Sequence, residues 1–285
     1  MSISFAEAPP DCSTSRVRAA GSGSLSVARA GSRSVVTRAY ASSPLRLLTP
    51  RNHGEAAWVY TSTYGGGLVD GDEIRLDVTV APKAVALLAT QAATKVYRSP
   101  RGTSAALEAA IGDGGLLVVA PDPVVCFAGA SYQQTQRFEL DGSAGLVFVD
   151  WLTSGRHGSG ERWMFDRYAS RMTLRRGGRL ELMDAVLLDG ADGPIDDRMD
   201  RFDVVLMAVI VGPALEHHAA RVLTNIGRTP VRRHADLLVA ASAIAGGGCI
   251  LRMLGTSVEE VGRAAREHLH FVPSLLGDDP WSRKW

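Results

Sequence analysis

PKAVALLAT (82–90), DGGLLVVAPD (113–122) and GSAGLVFVDW (142–151) decide how this chain is read. Each opens on a turn, passes a small residue, runs apolar, and then meets a polar or proline-containing segment. A fourth turn of similar type, Gly177-Gly178, follows. Counted from Pro82, Asp113, Gly142 and Gly177, the turns recur at spacings of about 31, 29 and 35 residues. A period of that size marks stacked supersecondary units, each burying its apolar strand against its neighbours. A β-solenoid or a body of stacked sheets is predicted. If the units stack in register, Thr90-Gln91, Pro121-Asp122-Pro123 and Asp150-Trp151 line up along one edge and form a shared surface.

Outward from this repeat, the chain up to about residue 210 consists of short apolar or alternating runs separated by turn residues, the pattern of strands. Leu25 to Ala30 and Ser34 to Tyr40 alternate around Gly31-Ser32 and read as a hairpin. Helical signals come late. Ala214 to Asn225 follows Pro213, and Ser257 to His270 opens on a serine with Glu259 and Glu260 behind it. Between them, Asp236 to Ala243 and Cys249 to Leu254 read as strands flanking Gly246-Gly247-Gly248. The predicted class is mainly β with two helices (α+β), with β-helix-like stacked sheets and the helices in the C-terminal third. Residues 1–22 read as a disordered N-terminal segment, and 23–285 as a single domain with an α/β part from about 201. The Ser-, Ala- and Arg-rich start resembles an organelle transit peptide superficially, but the hairpin assigns most of it to the domain.

With 285 residues and 46% hydrophobic content the chain can bury a sizeable core. Lys+Arg 31 against Asp+Glu 30 gives no global field to attract nucleic acid or an anionic membrane. The longest apolar run, Val204 to Val211, falls far short of the ~20 residues that span a bilayer. Cys12, Cys126 and Cys249 are odd in number and far apart, which fits a reducing cytoplasm better than a disulfide framework. The P-loop, the G-x-S-x-G elbow and the H-E-x-x-H helix are all missing from the sequence, so any nucleotide energy must come from a partner.

Three stretches concentrate chemistry. DWLTSGRHGSGE (150–161) reads as a loop after a strand, carrying Asp150, Arg156, His157 and Glu161 on a glycine-permitted backbone. Either it is a solvated loop with an Arg156–Glu161 ion pair, or Asp150 and Glu161 accept a cation or a partner's donors while Arg156 fixes their geometry. YGGGLVDGD (64–72) sets Asp70 and Asp72 beside four glycines; it could hold a divalent cation, or cap itself with its own carboxylate. TQAATKVYR (90–98) carries Gln91, Lys95 and Tyr97, and Lys95 is one of only three lysines, though a surface lysine lying along an aromatic neighbour explains it as well. The pairs His217-His218 and His268/His270 lack the i, i+4 spacing that one helix needs for chelation. Paired Asp150 and Glu161 also leave open a β-solenoid carbohydrate-active enzyme.

In this order the stretches resemble the UreD (UreH) family of urease accessory proteins: Gly66 to Asp72, Thr90 to Ser99, and Asp150 to Glu161, with Pro44-Leu45-Arg46 before them and Leu251 to Gly255 after. The resemblance spans roughly residues 24 to 281. It implies a mostly β, β-helix-like protein without enzymatic activity. It further implies a scaffold that binds UreF, recruits the GTPase UreG through it, and docks on apo-urease so that nickel passes to the metallocentre, with two copies compatible with such an assembly. It assigns nickel-route roles to Asp72 and Glu161; Asp70 and Asp150 are weaker metal candidates on their own chemistry, and Gln91, Lys95, Tyr97 and Arg156 are partner-binding or structural positions. Asp70 departs from the pattern, where glycine is usual. No cofactor is expected to be held permanently; Ni(II) would be transient cargo, which oxygen ligands release more readily than clustered Cys or His. A scaffold that only docks partners is the competing expectation, and cytoplasmic residence the accompanying one.

Overall fold

The computed structural model describes residues 21–232 and 234–282. Cys12 and most of the N-terminal segment predicted as disordered lie outside the described residues, but Ser22 already belongs to the first strand. Fourteen strands form the body: β1 (Ser22–Ala30), β2 (Arg33–Ala41), β3 (Leu45–Leu48), β4 (Ala57–Thr63), β5 (Glu73–Val80), β6 (Val85–Thr90), β7 (Thr94–Val96), β8 (Thr103–Ile111), β9 (Leu116–Val119), β10 (Val124–Cys126), β11 (Ser131–Leu140), β12 (Gly145–Thr153), β13 (Arg167–Arg176) and β14 (Arg179–Asp189). A short helix α1 (Ile195–Met199), β15 (Val204–Val211), α2 (Glu216–Gly227), β16 (Leu237–Ala243), β17 (Cys249–Gly255), α3 (Val258–His268) and α4 (Val272–Leu276) complete it.

The predicted repeat is a β-helix-like winding. From β4 to β13 the chain passes back and forth between two sheets, each unit contributing one long strand to each, with short β7 and β10 added to the sheet of β6 and β9. One sheet runs β14-β13-β11-β8-β5-β1-β2, the other β16-β17-β15-β12-β9-β6-β4-β3, with β7 and β10 attached beside it. Within the winding the ladders are parallel, and Val85, Leu116 and Gly145 stand level, as do Leu88, Val119 and Phe148. The repeat stops at its fourth turn. Gly177-Gly178 joins β13 to β14 as an antiparallel hairpin in the seven-stranded sheet, not as another parallel unit.

Burial explains why the two sheets look different in sequence. The second sheet has the first sheet on one face and helices on the other, so neighbouring residues alternate between two cores. Leu88, Val119 and Phe148 face the space between the sheets, whereas Leu87, Val118 and Val147 face Val222 of α2 and Val261 and Leu269 at α3. Strands covered on both faces read as continuous apolar runs. The first sheet is covered on one face only, and β11 accordingly alternates buried and accessible residues along its length. Helix α3 begins where expected: Ser257 accepts a hydrogen bond from the Glu260 N–H at 3.3 Å, leaving Val261, Ala264 and Ala265 buried. The five-residue α1 was not foreseen, being too short to show a period. No helix among the described residues is long and apolar enough to cross a membrane.

Candidate functional site

The level stacking places Thr90, Pro121 and Asp150 side by side, as the spacing predicted, although only β6 and β9 end here while β12 runs on. Here polar side chains enter the apolar core. A cavity of about 220 Å³ opens between the sheets, lined among others by Thr90, Asp122, Gln134, Gln136 and Asp150. The Asp122 N–H donates to Thr90 Oγ1 at 2.7 Å and Thr90 Oγ1 to the Asp122 carboxylate at 3.1 Å, tying two successive strand ends together.

Asp150 corrects the sequence reading. Strand β12 continues to Thr153, so Asp150 is a strand residue and not part of a loop. It lies two positions after Phe148 and therefore on the same face, pointing between the sheets. Gln134 Nε2 sits 2.9 and 2.8 Å from its two oxygens, and Ser170 Oγ donates to it at 3.0 Å. Tyr168 Oη lies 2.8 Å from the same amide nitrogen. Burial pushes the Asp150 carboxyl above its ordinary value against the opposing pull of the Gln134 and Ser170 hydrogen bonds, and Asp184 nearby adds to the rise. Burial likewise raises the phenols of Tyr132 and Tyr168.

Asp150 also lines a second, smaller cavity of about 30 Å³ with Tyr168, Ser170 and Asp184. Asp184 is ion-paired with Arg252. Polar groups thus run from Thr90 and Asp122 past Gln136 and Gln134 to Asp150, and on through Ser170 to Asp184 and Arg252. Gln136 Oε1 is buried without a hydrogen-bond partner among the described residues. An unpaired buried acceptor costs about 1–3 kcal/mol, which a water or a cation's hydration shell would offset. The sequence reading missed Gln134, Gln136 and Ser170. Their signal was polar residues at the inward positions of strands whose other inward residues, Phe138, Leu140, Met172 and Leu174, are core.

The remaining candidates gather elsewhere, at the loops closing this end of the body. Asp72 caps its own turn, accepting from the Val69 N–H at 2.8 Å. Asp70 is held by the Arg101 side chain and backbone N–H at 2.8 and 2.7 Å, and the Arg101 guanidinium keeps its carboxyl below the usual range. Leu68 bonds across to strand β7, its N–H reaching the Lys95 carbonyl at 2.8 Å and its carbonyl accepting from Tyr97 at 2.9 Å. Glycine at 67 is required there, since a Cβ would stand 2.6 Å from the Tyr97 ring. Lys95 and Gln91 are exposed. Tyr97 stacks edge-on against Phe127 at 5.1 Å, and Arg156 lies over the same Phe127 ring at 4.4 Å. Arg156 and the Ala128 N–H hold Glu161, and the Arg156 contact keeps that carboxyl low.

The three motifs are therefore one connected surface, with Asp150 the exception. Arg156 orients Glu161 alone; Asp150 and Glu161 share no hydrogen-bond partner, contrary to the joint geometry expected of them. Among the described residues no group of three or more His, Cys, Asp or Glu side chains is placed to hold a metal. His218 stacks on Phe271 at 4.0 Å instead. Cys126 and Cys249 are free and buried, which raises both thiols, Cys249 to about 11.

Fold and interior together define a β-helix-like scaffold whose concentrated polar chemistry lies inside the body. The chain belongs to the UreD family: the model described as "UreD urease accessory protein" matches residues 19–285. Relatives named urease accessory protein UreD or D include one from Sorangium cellulosum, 51% identical over 95% of this chain and 86% of its own length. Another, from Oryza sativa subsp. indica, is 34% identical over 92% and 96%, and one from Arabidopsis thaliana 33% identical over 91% and 99%. Membership places the chain among urease accessory proteins and not among enzymes, which removes the carbohydrate-active reading.

Proposed function

We propose that this chain, in the cytoplasm, joins UreF and the GTPase UreG on apo-urease and assists nickel insertion by giving the ion a polar passage through its interior. The observation that carries this reading is Asp150, which lines both cavities and is held by neutral donors with no ion-pair partner among the described residues. A carboxylate so placed is short of positive charge, and a divalent ion supplies it. The acceptors along the passage are oxygens, which bind borderline Ni²⁺ weakly enough to pass it on. Asp72 and Glu161, whose oxygens are engaged by their own loops, we assign to shaping the mouth rather than to prolonged contact with the ion.

The test is co-purification with UreF and UreG, followed by nickel-dependent activation of apo-urease. Both partners should be retained and urease activated; failure to bind either one contradicts the assignment. Asp72→Ala and Glu161→Ala should keep the complex and lower activation. Full activation by both would remove these two residues from the route.

A further inference from the structure

The seven-stranded sheet ends at β14, which pairs with β13 on one side and with no strand on the other among the described residues. An edge of 11 residues is a template for another strand, and proteins usually blunt such edges with outward charges or proline. The opposite edge of the same sheet does so: β2 exposes Arg33 and Arg38. Strand β14 turns its central charges inward. Glu181 and Asp184 have side chains only 3% and 12% exposed and pair with Arg176 and Arg252. A register shift between Leu174 and Arg175 of β13 sets Leu180 opposite exposed Arg175, so it joins Met183, Ala185 and Leu187 in the outward row. Leu180, Met183 and Leu187 are 47%, 58% and 51% exposed, which is unusual for large apolar side chains on one free edge.

We propose that β14 is a self-association edge, pairing antiparallel with β14 of a second copy about a two-fold axis through Ala185. In that register Met183 lies opposite Leu187 of the second copy, Asp184 opposite Val186, and Leu182 opposite Leu188. The apolar row meets an apolar row, and the smallest residue of the row sits on the axis, where the two chains meet the same side chain. The like charges set opposite each other, Glu181 and Asp189 toward the strand ends, are each already paired with an arginine, Arg176 and Arg167. A foreign strand would have to reproduce this uncharged row; a second copy carries it already. The inference concerns the chain by itself and stands or falls apart from nickel transfer.

Light scattering of the full chain across a concentration series should show a monomer–dimer equilibrium. Met183→Lys with Leu187→Lys, both at exposed positions, should weaken the dimer at least ~10-fold while leaving the circular dichroism unchanged. Ala185→Cys should cross-link under mild oxidation, because directly opposed Cα atoms in an antiparallel pair lie about 4.5–5.5 Å apart, within disulfide reach. Arg171→Cys, one strand inside the edge, should not. A wild-type chain that stays monomeric at every concentration overturns the proposal. So does a double-lysine variant that dimerises like wild type, or a dimer that Ala185→Cys fails to cross-link.

Discussion

The two ends of the same parallel strands have opposite characters. At the turn end, Ala81 to Ala84, Gly112 to Gly115 and Asp141 to Ala144 are each closed by the same hydrogen bond from the fourth residue back to the first. Asp113 ties the stack together by accepting from both the backbone N–H and the hydroxyl of Ser143 at 2.7 and 2.8 Å. Inside this end the facing residues are Val80, Ile111, Leu140 and Phe138, all buried and apolar. At the other end β6 and β9 run out into Thr90 and Asp122 beside Asp150 of β12, and the same strand β11 offers Gln136 and Gln134 in place of Phe138 and Leu140. Regular repetition builds and seals the frame; the segments that break the repetition make the polar interior.

Substitutions at the two ends should therefore act in different directions. The largest effect on stability belongs to the sealed end: Leu140→Ala should cost roughly 2–5 kcal/mol, read from the denaturant midpoint. At the open end the sign reverses. The raised Asp150 carboxyl means that the folded chain holds that proton more tightly than the unfolded chain, so its contribution to stability falls as pH rises from the ordinary carboxylate value through the folded one. Asp150→Asn should consequently raise the melting temperature at neutral pH by about 2–4 °C for each kcal/mol recovered, and flatten that pH dependence. A lowered melting temperature at neutral pH would mean that the ionised carboxylate is better satisfied than its neighbours indicate.

The smallest effect should come from Asp113→Ala. The Ser143 hydrogen bonds hold the Asp113 carboxyl below its ordinary value, so its contribution is present near neutrality and is lost as pH falls through the folded value. The group is solvent-exposed, so Asp113→Ala should lower the melting temperature only slightly near neutral pH and more weakly still in acid. A loss equal to that of Leu140→Ala would show that the turns, and not the core behind them, hold the winding together.

Much of the frame was legible because its cause is local and periodic. The recurrence of Pro82, Asp113 and Gly142 gave the parallel stacking and even the shared level of Thr90, Pro121 and Asp150. The N-cap at Ser257 and the triple glycine at 246–248 gave the C-terminal elements. What the sequence did not reveal was the first sheet as a partner of the second, because its strands β5, β8 and β11, accessible on their outer face, carry no turn repeat of their own. The interior site depends on that pairing. Asp150 was picked out, but with Arg156 and Glu161 eleven residues or fewer away; its actual partners, Gln134 and Ser170, lie 16 and 20 residues distant on other strands. The family motifs around Asp72, Tyr97 and Glu161 were easier to find, since glycines and paired charges in loops stand out in sequence.

The most direct measurement is nickel-dependent activation of apo-urease by Asp150→Leu assembled with UreF and UreG. Leucine branches at Cγ as aspartate does, carries no charge, and removes the carboxylate from the wall between the cavities. The complex should form as with the wild-type chain while activation falls at least ~10-fold, equivalent to about 1.4 kcal/mol. Undiminished activation by an intact complex containing Asp150→Leu would contradict passage through the interior.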